Sequence, residues 1–168
     1  MDRLFRCAWE RVLFIHYEVD PAALQPQVPF PLETFHGRAY VSLVAFTLRG
    51  LRFKWGPPLA THGFLNVRTY LPGRGIYFLA EWLPHPLCVF LGPRLYGLPY
   101  RLGRLDYRHA HETGRLAGRV EGRGCSLDYE AAVDPGGPWT PAAQGSLEEF
   151  VCERTTAHTE RRGERRLF

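Results

Sequence analysis

Apolar and polar residues alternate in stretch after stretch of this chain, and glycine or proline bounds each stretch. A period of two sends successive side chains to opposite faces of an extended backbone, so the pattern marks half-buried strands. Glycine and proline at the boundaries turn or end them. The pattern predicts a mainly β fold of consecutive antiparallel strands with two or three short helices.

Trp9 to Val19 reads as a first strand, and Asp20 then caps a short helix with Pro21 at its first position. Pro26, Pro29 and Pro31 stop that helix. Arg38 to Phe53 is a long strand that bends at Gly50. Phe64 to Leu71 and Ile76 to Leu83 form a hairpin about Pro72-Gly73-Arg74-Gly75. Pro86 to Tyr96 has helical spacing, and Pro93 is expected to kink or divide it. Arg101 to His111, Arg115 to Glu121 and Cys125 to Val133 form a meander, followed by a loop over Asp134 to Gly145. Ser146 with Glu149 three residues on is a capping box that opens a helix through Arg154. Closure into a barrel removes exposed sheet edges, so the expectation is one closed antiparallel barrel spanning residues 1–168 with a small cavity.

Several function classes fall away. No apolar run approaches the ~20 residues that span a bilayer, so no membrane role is expected. The first six residues, Met1 to Arg6, are followed by no apolar signal region, and a cytoplasmic location is expected. The net charge is +4, yet the one dense basic run, Arg161 to Arg166, is diluted by glutamate, which argues against nucleic acid as a partner. Cys7, Cys88, Cys125 and Cys152 lie far apart, and His109 and His111 sit at a hairpin tip, so no metal is expected. No dinucleotide, phosphate-loop or nucleophile-elbow motif occurs, so no cofactor is expected and no serine has a base near it in sequence.

The hairpin carries the chemistry. Alternation puts Asn66, Arg68 and Tyr70 on one face. A turn centred on Gly73-Arg74 sets Tyr70 opposite Tyr77, Arg68 opposite Leu79 and Asn66 opposite Glu81, whereas a slip of one residue sends Glu81 to the other face. Arg68 could clamp a carboxylate, with Glu81 as its partner or as a general base.

Gly92-Pro93-Arg94-Leu95-Tyr96-Gly97-Leu98-Pro99-Tyr100-Arg101-Leu102-Gly103 and Leu65 to Tyr70 resemble the uncharacterised YqjF-like proteins of the acetoacetate decarboxylase-like superfamily. Leu13 to Tyr17 with Val19-Asp20-Pro21, Gly37 to Val41 and Phe150 to Arg154 extend the likeness over nearly the whole chain. The resemblance implies a cone-shaped barrel around a pocket; longer relatives add a further strand past the position of Phe168. The decarboxylases carry two lysines after the Gly-aromatic-Pro element, one forming a Schiff base. Tyr100 and Arg101 stand there, and the sole lysine is Lys54. The combined expectation is a barrel that binds a small organic acid or related metabolite through Asn66, Arg68, Tyr70, Glu81, Tyr100 and Arg101; catalysis is left open, and an enzyme of this kind would use Glu81 as general base and a tyrosine hydroxyl as acid in a lyase or isomerase step. The alternative is an interaction module with a vestigial pocket, and a homodimer is left open.

Overall fold

The computed structural model describes residues 5–53, 60–138, 140–161 and 164–167. Two long strands, β1 (Phe5–Val19) and β2 (Ala39–Phe53), pair antiparallel. Between them lies the short helix α1 (Pro21–Leu24), where the Asp20 carboxylate accepts from the Ala22 N–H as expected of an N-cap. β3 (Ala60–Leu71) and β4 (Gly75–Leu83) continue the antiparallel run. Helix α2 (Pro86–Tyr96) then crosses over to β5 (Tyr100–Ala110), which pairs parallel to the far end of β4. β5, β6 (Arg115–Gly122) and β7 (Cys125–Ala132) form the expected meander. Helix α3 (Leu147–Cys152) precedes β8 (Thr156–Arg161), which pairs parallel to the start of β4, and β9 (Glu164–Leu167) pairs with β8.

β4 is therefore a fork whose two ends feed different neighbours. The path from β1 to β7 runs in chain order, and among the described residues β1 and β7 remain its two ends. The sheet is a strongly curled half-barrel, open where a closed barrel was expected. Among the described residues, no helix is long and apolar enough to cross a membrane.

Two layers cover β2 and β3. On one face Val44, Phe46, Leu48, Phe64 and Leu83 pack against Phe14 and against Cys88 and Val89 of α2. On the other, Ala45 and Leu65 pack beneath Val120, Leu105 and Tyr107 of the meander. Gly63 permits that second contact, since a Cβ there would stand 3.1 Å from Leu105 Cβ and 3.2 Å from the Tyr107 ring. The Tyr107 hydroxyl donates to the Phe64 carbonyl at 3.1 Å across the same crossing.

α2 runs through Pro93 undivided and ends at Gly97 in the left-handed conformation (φ 71°), whose N–H donates to the Pro93 carbonyl. In α3 the Ser146 hydroxyl accepts from the Glu149 N–H, but the Glu149 carboxylate reaches the N–H of Gly145, one residue earlier than a capping box requires. That helix ends at Cys152, short of the expected Arg154.

The hairpin register departs from the expectation near its tip. Leu71 pairs with Gly75, leaving Pro72, Gly73 and Arg74 as a three-residue turn with φ of 72° at Gly73 and 60° at Arg74. Tyr70 consequently faces Ile76 rather than Tyr77, and Arg68 faces Phe78 rather than Leu79. A shift between Arg68 and Val67 leaves Leu79 as an extra residue, after which Val67 meets Ala80 and Asn66 meets Glu81.

Gly92 of α2 lies against the Tyr100 ring so closely that a Cβ would come within 2.3 Å of it. Gly92→Ala is expected to destabilise the fold by roughly 1–3 kcal/mol, the usual cost of overpacking. Denaturant unfolding checks it; an unchanged midpoint would refute the close docking of α2.

Candidate functional site

The Leu79 bulge assembles a polar set on the face that α2 and α3 cover. Asn66, Arg68, Tyr70 and Glu81 are 1%, 4%, 0% and 3% exposed, so four polar side chains expected to line a pocket are fully enclosed. Ser42 of β2 stands opposite Arg68, and His16 of β1 stands opposite Ser42. Tyr100 pairs with Glu81 in the parallel ladder, and its ring meets Phe64 edge-on at 5.9 Å. Arg101 does not join them. It is exposed on the opposite face, with its guanidinium 5.2 Å from the centre of the Trp82 ring.

Arg68 is held by its surroundings rather than by a carboxylate. One amino group donates to the Val151 carbonyl at 2.9 Å, just before the end of α3. The guanidinium carbon lies 5.1 Å from the Phe14 ring centre and 5.8 Å from that of Tyr70. Its Nε has no hydrogen-bond partner, and neither have Asn66 Oδ1 and Glu81 Oε2. Arg68 and Glu81 do not form an ion pair, one of the two roles that the sequence left open for Glu81.

Burial pushes the Glu81 carboxyl up to about 8, so the group is largely protonated at neutral pH. Burial, and next the charge of Glu81, pushes the Tyr100 phenol far above its usual range. A protonated carboxyl is a hydrogen-bond donor, whereas a carboxylate only accepts. Arg68 and Glu81 project from the same enclosed face without touching, and a donor carboxyl together with an unpartnered arginine N–H suits an anion.

A second set of contacts was not legible in the sequence. The Ser42 hydroxyl lies 2.6 Å from His16 Nδ1 and makes a short hydrogen bond with the Tyr70 hydroxyl. Serine and base are 26 residues apart and meet only through the β1–β2 register, which the shift between Glu10 and Leu13 alters. Arg154 packs its guanidinium 4.9 Å from the Tyr70 ring centre and 4.3 Å from that of Phe150, and pairs with Glu33 at 2.5 Å. The resemblance had marked Phe150 to Arg154 without giving it a role.

His109 serves the fold. The Arg11 carbonyl lies 2.7 Å from its Nδ1 and the Tyr129 hydroxyl 2.6 Å from its Nε2, which uses both nitrogens and ties β5 and β7 to β1. His111 lies with its ring centre 6.2 Å from that of His109. Among the described residues, no group of three His, Cys, Asp or Glu side chains is placed to hold a metal ion. Past the His109 tie the seam opens into a groove of about 630 Å³ between Leu13–Tyr17 of β1 and Leu127–Ala131 of β7. His16 and Phe14, both neighbours of Arg68, line that groove.

The fold is that of acetoacetate decarboxylase-like proteins. The acetoacetate decarboxylase of Legionella pneumophila superposes with a TM-score of 0.66 at 16% identity, over 94% of this chain and 58% of that one. The enduracididine biosynthesis enzyme MppR, complexed with the condensation product of pyruvate and imidazole 4-carboxaldehyde, superposes with a TM-score of 0.64 at 15% identity, over 95% and 63%. An acetoacetate decarboxylase-like enzyme from Sphingomonas wittichii RW1 gives 0.62 at 16%, over 88% and 61%. The chain thus spans about three fifths of each of these solved proteins. In sequence it is 31% identical to the uncharacterized protein YqjF of Bacillus subtilis (strain 168) over 167 aligned residues, 93% of this chain and 67% of that protein. Residues 6–168 match the model of an uncharacterized conserved protein, DUF2071, and the chain is a member of that family.

Proposed function

We propose that the enclosed face of β3 and β4 binds a small organic acid, with Arg68 as the anchor of its carboxylate. The observation that carries this reading is the trio of unpartnered polar atoms, Asn66 Oδ1, Arg68 Nε and Glu81 Oε2. Buried polar groups in folded proteins almost always have partners, and leaving one without costs about 1–3 kcal/mol. A ligand that brings both an anionic oxygen and a hydrogen-bond donor satisfies all three. Arg68 offers its Nε–H, the protonated Glu81 offers its O–H, and Asn66 Oδ1 accepts. Tyr70 and Tyr100 wall the site, and Arg101 takes no part. An MppR structure of the same fold is complexed with pyruvate, which supports a small acid as the ligand class.

The binding mode differs from Schiff-base decarboxylation. Tyr100 and Arg101 occupy the positions that resemble the decarboxylase lysine pair, and neither a phenol nor a guanidinium forms an imine with a keto acid. Lys54 lies outside the described residues. If the site also does chemistry, Glu81 is one acid–base group in a lyase or isomerase step and a tyrosine hydroxyl is the other. A cytoplasmic protein working as monomer or homodimer fits this reading. A second reading, an interaction module, is favoured by the outer face of α2, where Leu87 and Phe90 are 67% and 54% exposed.

Three outcomes are expected. A panel of keto, hydroxy and aromatic acids should raise the melting temperature of the parent protein selectively, following RT ln(1 + [L]/Kd), and Arg68→Leu should weaken the best acid roughly 10- to 100-fold, the worth of a charge-assisted hydrogen bond. A folded Arg68→Leu protein that binds as well as the parent refutes the anchor; silence across the panel with self-association in light scattering favours the interaction module. Borohydride treatment with acetoacetate should leave the protein mass unchanged, and a reduced adduct would overturn the exclusion of imine chemistry.

The third concerns pH. With a native carboxyl at about 8 against an ordinary 4.5, Glu81 binds more proton folded than unfolded between those values. Its contribution to stability is complete below about pH 4.5 and is lost as pH rises through 8. Glu81→Gln, which cannot ionise, should therefore gain stability relative to the parent from pH 5 to 9, by roughly 2–4 kcal/mol. Melting curves that stay parallel across that range would show that Glu81 is ionised in the native state.

A further inference from the structure

Tyr70, Ser42 and His16 form a continuous line of hydrogen-bonding groups from the Arg68 site to the seam groove. Tyr70 and Ser42 are both 0% exposed, so neither exchanges protons with solvent directly. The Tyr70 hydroxyl meets Ser42 Oγ, and Ser42 Oγ lies 2.6 Å from His16 Nδ1. His16 is half-buried and lines the groove of about 630 Å³ between β1 and β7. At the inner end, the Tyr70 ring has two guanidinium groups near it, with the Arg68 Cζ 5.8 Å and the Arg154 Cζ 4.9 Å from its centre.

The order of donors is fixed by what each group can do. Arg68 and Arg154 only donate, so they provide no acceptor for the Tyr70 proton. Ser42 both donates and accepts. His16 is held below its ordinary value by burial first and by the Arg68 charge next, opposed by Glu148 of α3, so at neutral pH it is uncharged and one ring nitrogen accepts. Phe14, stacked on His16 with ring centres 5.7 Å apart, adds no charge. Tyr70 O–H to Ser42 Oγ and Ser42 O–H to His16 Nδ1 is thus the arrangement in which both hydroxyl protons have acceptors.

We propose that Tyr70, Ser42 and His16 are a proton relay, with Tyr70 as the inner acid–base group and His16 as the point of exchange with water in the seam groove. In one passage, the proton on Tyr70 moves to Ser42 Oγ while the Ser42 proton moves to His16 Nδ1. The phenolate then takes a proton from an acidic group of the ligand, and the imidazolium releases its Nε2 proton to groove water. Tyr70, Ser42 and His16 regain their starting proton counts, His16 now carrying its proton on Nδ1 instead of Nε2, with the ligand one proton poorer; the reverse passage protonates the ligand. This role rests on the acid-binding reading of the Arg68 site, but the relay exists in the ligand-free protein and is testable there.

Protein labelled with carbon-13 at the tyrosine Cζ is titrated by NMR between about pH 5 and 8, with the His16 ring followed in the same samples. The Tyr70 signal is identified by its loss in Tyr70→Phe. In the parent, the Tyr70 Cζ signal should move with the His16 midpoint, because protonating His16 reverses the hydrogen bond at Ser42. In Ser42→Ala, which leaves His16 and Tyr70 in place without the link, the Tyr70 signal should lose that movement while His16 still titrates. His16→Gln should abolish it too, and decides the matter if Ser42→Ala does not fold. A Tyr70 signal that is stationary in the parent, or that keeps the same midpoint in either variant, overturns the relay. Coupled titration without binding of any acid in the thermal panel would retain the relay and remove its ligand, whereas binding without coupling would do the opposite.

Discussion

One extra residue in β4 decides which way Glu81 points, and the polar face is built on that decision. The three-residue turn at Pro72–Arg74 starts the hairpin in a register that would set Asn66 against Ala80 and send Glu81 to the meander side. Leu79, unpaired at the bulge, restores the alternation, so that Glu81 lies opposite Asn66 and next to Tyr100. The bulge is supported from the meander side of the sheet, where Leu79 packs against the cluster of Leu24, Val28, Phe30 and Leu71. An apolar contact on one face thereby holds a carboxyl in place on the other.

Enclosure then changes the chemistry of what the register assembled. α2 brings Gly92 against the Tyr100 ring, and α3 brings the Val151 carbonyl to Arg68. Without these covers Glu81 would be an ordinary exposed carboxylate. Beneath them its charged form is penalised, and the same penalty makes each unpartnered atom in the trio costly. Arg68 tolerates enclosure because guanidinium is weakly hydrated and packs on ring faces, here those of Phe14 and Tyr70.

The open edge of the half-barrel is managed by side chains instead of by a ladder. Arg11, with a positive φ of 55° within the irregular part of β1, turns its carbonyl to His109. Tyr129 completes the tie from β7. Beyond that point the two edges part, and the resulting groove is where His16 of the enclosed face meets the outside.

The alternation and its glycine and proline punctuation were enough to determine strands β1 to β7, the capped helix at Asp20, the bend at Gly50 and the hairpin, because these depend on local backbone preferences, whereas β8 and β9 were not read from it. They also determined that Asn66, Arg68 and Tyr70 share a face, which pleat geometry alone requires. Tertiary structure decided the rest. Whether Glu81 joined that face depended on a bulge, whose position is set by packing rather than by composition. Arg101 was separated from Tyr100 by the same alternation once the β4–β5 ladder fixed which side faced α2. The meeting of His16 with Ser42 and of Arg154 with Tyr70 spans 26 and 84 positions of sequence, and no local signal encodes a contact that arises only when distant strands and a helix close on one another.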